Sequence, residues 1–116
     1  MGKAGCVFCK IIKKEIPSRI VLENNRILAF EDTNPQAPVH ILIIPKRHIE
    51  KTSDLNEKSA RLIGELVLTA KTLANQKGIQ AKGYRIILNC NKDAGQEIFH
   101  LHLHLLGGRK FTWPPG

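Results

Sequence analysis

Three of the chain's five histidines stand on alternate residues of one leucine-rich run, His100-Leu101-His102-Leu103-His104. A strand has a side-chain period of two, so the run predicts all three imidazoles on one face. Phe99, Leu101, Leu103 and Leu105 would then face the other way, towards a core. A single histidine on such a face is usually a satisfied core or surface residue. Three in register, in a chain with only two others, ask for a shared task.

A metal cage accounts for only part of the row. Tetrahedral zinc gathers its ligands within a few ångströms, whereas strand rise separates the His100 and His104 Cα atoms by ~13 Å. At most two of the three can share one ion. Nucleophilic chemistry gives the rest work to do. Neutral imidazole attacks well because its pKa lies close to neutral pH. Its ring must be held with Nδ1–H bonded, so that the Nε2 lone pair faces the electrophile. His40, heading the apolar run "VHILIIP", supplies a fourth imidazole from a neighbouring strand. In a chain of net charge +8 the electrophile suited to such attack is phosphorus, in phosphoryl or nucleotidyl transfer.

The cysteines divide into two kinds. Cys6 and Cys9 form a C-x-x-C pair, which points to metal or redox chemistry. Cys90 ends the apolar run "YRIILNC" and reads as an inert core thiol. Three cysteines in a reducing compartment do not build a disulfide framework.

A chain of 116 residues makes one domain, 1–116, with a modest core. No apolar run approaches the ~20 residues of a membrane span, and the N-terminus lacks a signal-peptide core. The expectation is a cytoplasmic protein with no membrane partner. The 18 basic residues are scattered, and one Tyr and one Trp are too few for a base-stacking surface. Nucleic-acid binding is therefore not expected; steering of a small phosphate-bearing substrate is.

The elements that must carry these residues follow from periodicity. Val7, Phe8, Ile11 and Ile12 have helical spacing, stopped by Pro17. "RIVLEN" and "ILAFED" read as strands around Asn24-Asn25, and "NPQAP" as a rigid loop. "VHILIIP" reads as a central strand. Asp54, with Glu57 three residues on, predicts the cap of a long helix. Its apolar face is Leu62, Ile63, Leu66, Val67, Ala70, Leu73 and Ala74, and Lys77-Gly78 stops it. "YRIILN" is a fourth strand, "KDAGQE" a turn and "IFHLHLHLL" a fifth strand. The fold class is α+β: a five-stranded antiparallel sheet with one long helix and a short N-terminal helix. The tail "FTWPPG" cannot continue a sheet and should lie along a surface.

The run "HLHLHLL" resembles the signature of the histidine triad (HIT) superfamily of nucleotide hydrolases and transferases. "VFCKIIKKEIPSRIV", "LAFEDTNPQAPVHILIIPKRHI" and "GQEIFHLHLHLLGGRKFTWPPG" resemble its Hint branch, the nucleoside phosphoramidases, over most of the chain outside the long helix. The resemblance implies the HIT-like fold and a homodimer whose sheets join into one ten-stranded surface. It also implies purine nucleoside 5′-phosphoramidates and aminoacyl-adenylates as substrates, with an AMP or GMP moiety, and no organic cofactor. His102 would be the nucleophile, forming a nucleotidyl-histidine and expelling the amine before water releases the monophosphate. His40 and His104 would tune it, and Asp32 would take the ribose hydroxyls. Phe8, Ile11 and Phe30 would wall the base, with Val7 and Thr33 beside them. Asn89, Gln96 and the backbone around His102 to His104 would hold the phosphate, and Trp113 would reach the other subunit's leaving-group side.

Two positions depart from the eukaryotic pattern of that branch. Glu97 stands where those proteins carry a serine near the leaving group, so an anionic leaving group would be repelled or a cationic one bound. Thr33 replaces an apolar residue after the ribose aspartate, which weakens base packing. Cys6, Cys9, His48 and His100 resemble the zinc set of many microbial HIT proteins, and two thiolates with two imidazoles close a tetrahedral structural site. That set would pin the N-terminal segment to the sheet and leave His100 structural, His102 nucleophilic and His104 supportive. Two rival readings are a dinucleoside polyphosphate hydrolase of the Fhit type and a zinc-stabilised nucleotide-binding regulator without catalysis. The tail "LGGR…WPPG" follows the Hint branch rather than the first rival.

Overall fold

A computed structural model describes residues 2–116. Among them five strands form one antiparallel sheet: β1 (Ile20–Glu23), β2 (Ile27–Glu31), β3 (Val39–Pro45), β4 (Tyr84–Leu88) and β5 (Leu103–Gly107). Their spatial order is β1-β2-β3-β5-β4, so β3 and β5 lie centrally. The short helix α1 (Val7–Ile12) and the long helix α2 (Ala60–Gln76) complete the α+β architecture. No helix among these residues is long and apolar enough to cross a membrane.

Strand alternation sorts the core into two layers. Ile27 and Ala29 of β2, Ile41 and Ile43 of β3, and Leu103 and Leu105 of β5 pack against Leu66, Ala70 and Leu73 of α2. The intervening residues Leu28, Phe30, Leu42 and Ile44 meet Phe8 and Ile11 of α1 on the opposite face. The two helices thus cover opposite sides of the sheet. His40 and the histidine row share the α1 side.

The structure departs from the sequence reading at five places. The long helix begins at Ala60 rather than beside Asp54, because two 3-10 turns, Thr52–Asp54 and Glu57–Ser59, intervene. Asn56 caps the second of these turns, its side chain accepting from the Lys58 N–H, while Ser59 at the start of α2 makes no side-chain cap bond. Within α2, Val67 is exposed, the apolar face being narrower than the spacing implied. The fifth strand is shorter than "IFHLHLHLL". Extending the β3–β5 register would set Leu101 opposite Pro45, which has no N–H to donate. The Leu101 N–H goes instead to the Ile49 carbonyl at 2.6 Å. Alternation nevertheless persists through Leu101, which is buried with the α2 layer, while Phe99 is exposed rather than core-facing. Cys90 is half-buried with its Sγ 3.2 Å from the Ser53 hydroxyl, so it is not a core thiol.

At the C-terminus Phe111 lies between two guanidinium groups, Arg85 at 5.0 Å and Arg109 at 4.3 Å from its ring centre. Arg85 also donates to the Thr112 carbonyl. These contacts hold the tail against the sheet, and Trp113 beyond them is 82% exposed.

Candidate active site and metal centre

A cavity of about 510 Å³ opens on the α1 side of the sheet. Helix α1 contributes Val7, Phe8 and Ile11; β2 and the turn after it contribute Phe30, Asp32 and Thr33. His40 comes from β3, Asn89 follows β4, and Glu97, His102 and His104 complete the wall. No lysine or arginine lines it among the described residues. Gln96 and Trp113 are not brought into this cavity. The Gln96 amide is buried and fully used: Oε1 accepts from the Asn91 N–H, and Nε2 donates to the Glu50 and Ile98 carbonyls. It braces the 91–98 loop instead of facing a ligand.

The hydrogen bonds fix the tautomers of the rings. The Gln36 backbone N–H donates to His40 Nδ1 at 3.0 Å, so the proton of a neutral His40 sits on Nε2. That Nε2–H donates to His104 Nδ1 at 2.9 Å and lies 3.4 Å from the Asp32 carboxylate. His104 therefore carries its own proton on Nε2. His102 is held differently, its Nδ1–H donating to the His100 carbonyl at 2.7 Å and freeing the Nε2 lone pair. A ring with a free lone pair thus stands beside a ring with a free N–H, their centres 5.0 Å apart.

Burial keeps this set neutral. Desolvation, with His102 and His40 alongside, lowers His104 to about 4. It also lowers His102 and His40 against the opposing pull of Asp32. Sequence reasoning missed Gln36, whose contribution is a backbone N–H and has no side-chain signature. The proline-flanked loop that holds it, "NPQAP", was the available signal.

Behind His102 lies a second cluster. Cys6 Sγ is 3.4 Å and Cys9 Sγ 3.6 Å from His100 Nδ1, while His48 Nδ1 is 3.3 Å from Cys9 Sγ and 3.1 Å from His100 Nδ1. A tetrahedron with Zn–S about 2.3 Å and Zn–N about 2.05 Å has edges of roughly 3.3–3.8 Å, and the four donors come within a few tenths of an ångström of that spacing. Their chemistry fits as well. His100 spends its Nε2–H on the Pro45 carbonyl at 2.8 Å, leaving Nδ1 as a lone pair that faces the cluster. Cys9 Sγ accepts the Lys3 backbone N–H, and Cys6 Sγ accepts that of Cys9. Burial pushes the Cys6 thiol up, which a bound cation would reverse.

Asp32, His40 and His104 also bring donor atoms together, but the protons argue against a cation there. With Nδ1 already accepting from Gln36, His40 could offer Nε2 only by losing its last proton. On these grounds the cysteine–histidine set alone, among the described residues, fits a metal ion.

A model of the HIT domain matches residues 13–111. The chain is 48% identical to the 14 kDa zinc-binding protein of Zea mays, over 95% of this chain and 87% of that one. It is 47% identical to adenylylsulfatase HINT1 of Arabidopsis thaliana, over 95% and 76% respectively. The solved HIT family hydrolase of Legionella pneumophila superposes with a TM-score of 0.95 at 51% identity, covering 97% of this chain and all of that one. With the match spanning both the sheet and the histidine row, the chain belongs to the HIT domain family.

Proposed function

We propose that the protein is a hydrolase that cleaves purine nucleoside 5′-phosphoramidates through a covalent nucleotidyl-histidine. The observation that carries this reading is the tautomer arrangement: the His102 Nε2 lone pair and the His104 Nε2–H share one cavity with Asp32. In the first half-reaction His102 Nε2 attacks the α-phosphorus and the P–N bond breaks. The Asp32–His40–His104 set takes up one proton from solvent with the anionic substrate, so that His104 passes its Nε2–H to the departing amine and remains a neutral ring. His102 retains Nδ1–H, so the nucleotidyl-histidine is cationic and a good leaving group. In the second half-reaction water attacks phosphorus, returns a proton to His104 and releases the nucleoside monophosphate.

The remaining wall supplies binding. Phe8, Ile11 and Phe30, with Val7 and Thr33, sandwich the base, and Asp32 accepts from the ribose hydroxyls. Asn89 and the backbone near His102 face the phosphate, with Glu97 at the leaving-group end. Cys6, Cys9, His48 and His100 hold zinc, which when bound supplies structural cross-linking of the N-terminal segment to the sheet. A second copy joins along the free edge of β4, every residue of which is half-buried in the single chain. The exposed Trp113 then reaches the partner.

The test is incubation with adenosine 5′-phosphoramidate and detection of AMP, with His102→Ala beside the wild type. Turnover absent from the variant, and an AMP–protein adduct trapped in the wild type, is the expected result. AMP binding without turnover would overturn the enzyme reading.

A further inference from the structure

The six residues Pro45 to Glu50 leave β3 and bond in turn to His100, the cysteine cluster, Leu101 and Gln96. The Pro45 carbonyl accepts from His100 Nε2 at 2.8 Å. His48 offers a metal ligand, Ile49 takes the Leu101 N–H, and the Glu50 carbonyl takes the Gln96 amide at 2.9 Å. Gln96 in turn fixes Asn91 and Ile98, the flanks of the loop that brings Glu97 to the cavity. His100 is the meeting point. Its Nδ1 faces the cysteines, its Nε2 holds Pro45, and its carbonyl orients the His102 ring at 2.7 Å.

We infer that metal occupancy of the Cys6–Cys9–His48–His100 cluster, acting through this strap, positions the nucleophile His102 and so sets the rate of bond making. The inference rests on the proposed reaction and deepens it. His100 is fully buried, and with the cluster filled its ring is held at both nitrogens. With the cluster empty, Nδ1 is left facing His48 Nδ1 at 3.1 Å and the two thiols at 3.4 and 3.6 Å, hydrogen-bond contacts that hold the ring less rigidly than a metal bond. The carbonyl of the same residue is the acceptor that selects the His102 tautomer at 2.7 Å, so a backbone less firmly pinned through its side chain leaves that acceptor less fixed. The ribose wall comes from β2, away from the cluster, whereas the base wall on α1 flanks the ligand Cys9. His100 and Gln96 are positioning residues on this account.

The experiment compares zinc-loaded protein, protein stripped by a chelator, and protein reloaded. Three quantities are read: AMP affinity by calorimetry, the ¹⁵N signals of the His102 ring, and kcat on adenosine 5′-phosphoramidate. Stripping should lower kcat at saturating substrate about 10- to 100-fold, as for other supporting shells of metal sites, and any change in AMP affinity reports the α1 wall beside Cys9. The His102 signals should pass from a single Nδ1–H tautomer to a mixture and return on reloading. An unchanged His102 tautomer with unchanged kcat would overturn the inference. Inactive loaded protein would instead refute the phosphoramidase reading, and the ¹⁵N signals alone would then decide this one. Should stripping unfold the chain, loaded Gln96→Met decides: lower kcat with AMP affinity kept supports the strap, and unchanged kcat overturns it.

Discussion

The Nε2 of His40 lies 2.9 Å from Nδ1 of His104, and this contact settles which face of the His104 ring carries a proton. Because His40 itself receives the Gln36 N–H, the donor direction runs one way, from backbone to His40 to His104 to the cavity. In the proposed reaction, the N–H that hands a proton to the amine is thus aimed at the cavity before substrate arrives.

Replacing His104 by Gln should therefore slow substrates with a basic amine leaving group by about 10²- to 10⁴-fold, the usual contribution of a positioned acid. A substrate whose leaving group needs no proton, such as a nitrophenyl ester of AMP, should lose far less. Equal losses on the two substrates would remove His104 from the acid role.

Asp32→Asn should weaken substrates bearing ribose hydroxyls by about 10- to 150-fold in kcat/KM, the range expected when a charge-assisted hydrogen bond of 1.5–3 kcal/mol is lost. A 2′,3′-dideoxy substrate should be nearly indifferent to the change. If both substrates fall together, Asp32 acts through His40, 3.4 Å away, and not through the sugar.

Stability should fall with acidity in a defined window. His104 titrates near 4 in the folded chain against an ordinary value of 6.5, so the unfolded chain binds the extra proton first. Its contribution is intact above about pH 6.5 and is lost progressively as pH falls towards 4. Urea midpoints at pH 7, 5.5 and 4.5 should decline in the wild type and decline less steeply in His104→Gln. Parallel slopes would show that other groups, the cysteine–histidine cluster included, carry the whole effect.

On the opposite face, Leu66→Ala should cost about 2–5 kcal/mol, since Leu66 is wholly buried between α2 and the sheet. Leu68→Ala, two residues on and 61% exposed, should change unfolding by less than about 0.5 kcal/mol. Neither variant should alter the kcat of the folded protein.

The strands were legible where burial alternates cleanly: the run "VHILIIP" is β3 to the residue. The facing of the histidines was equally legible, because leucine and histidine differ so sharply in what each face must contain. Backbone-mediated constraints were not. The shortening of β5 depends on Pro45 arriving opposite Leu101, a register known only once the strands pair. Gln96 as brace and glutamine as phosphate ligand are the same letter, and only its three bonds separate them. Cys90 sits near the end of an edge strand, where an apolar run need not be a buried one.

The leucines and histidines of residues 100–105 interleave like the teeth of a two-stroke ratchet. Inserting one residue after Leu101 would invert the phase of everything beyond it, turning imidazoles into the apolar α2 layer and leucines into the cavity. Inserting two would restore the phase at the cost of displacing His104 from His40 by one step. The segment thus tolerates no small change in length: its spelling and its count are the same constraint.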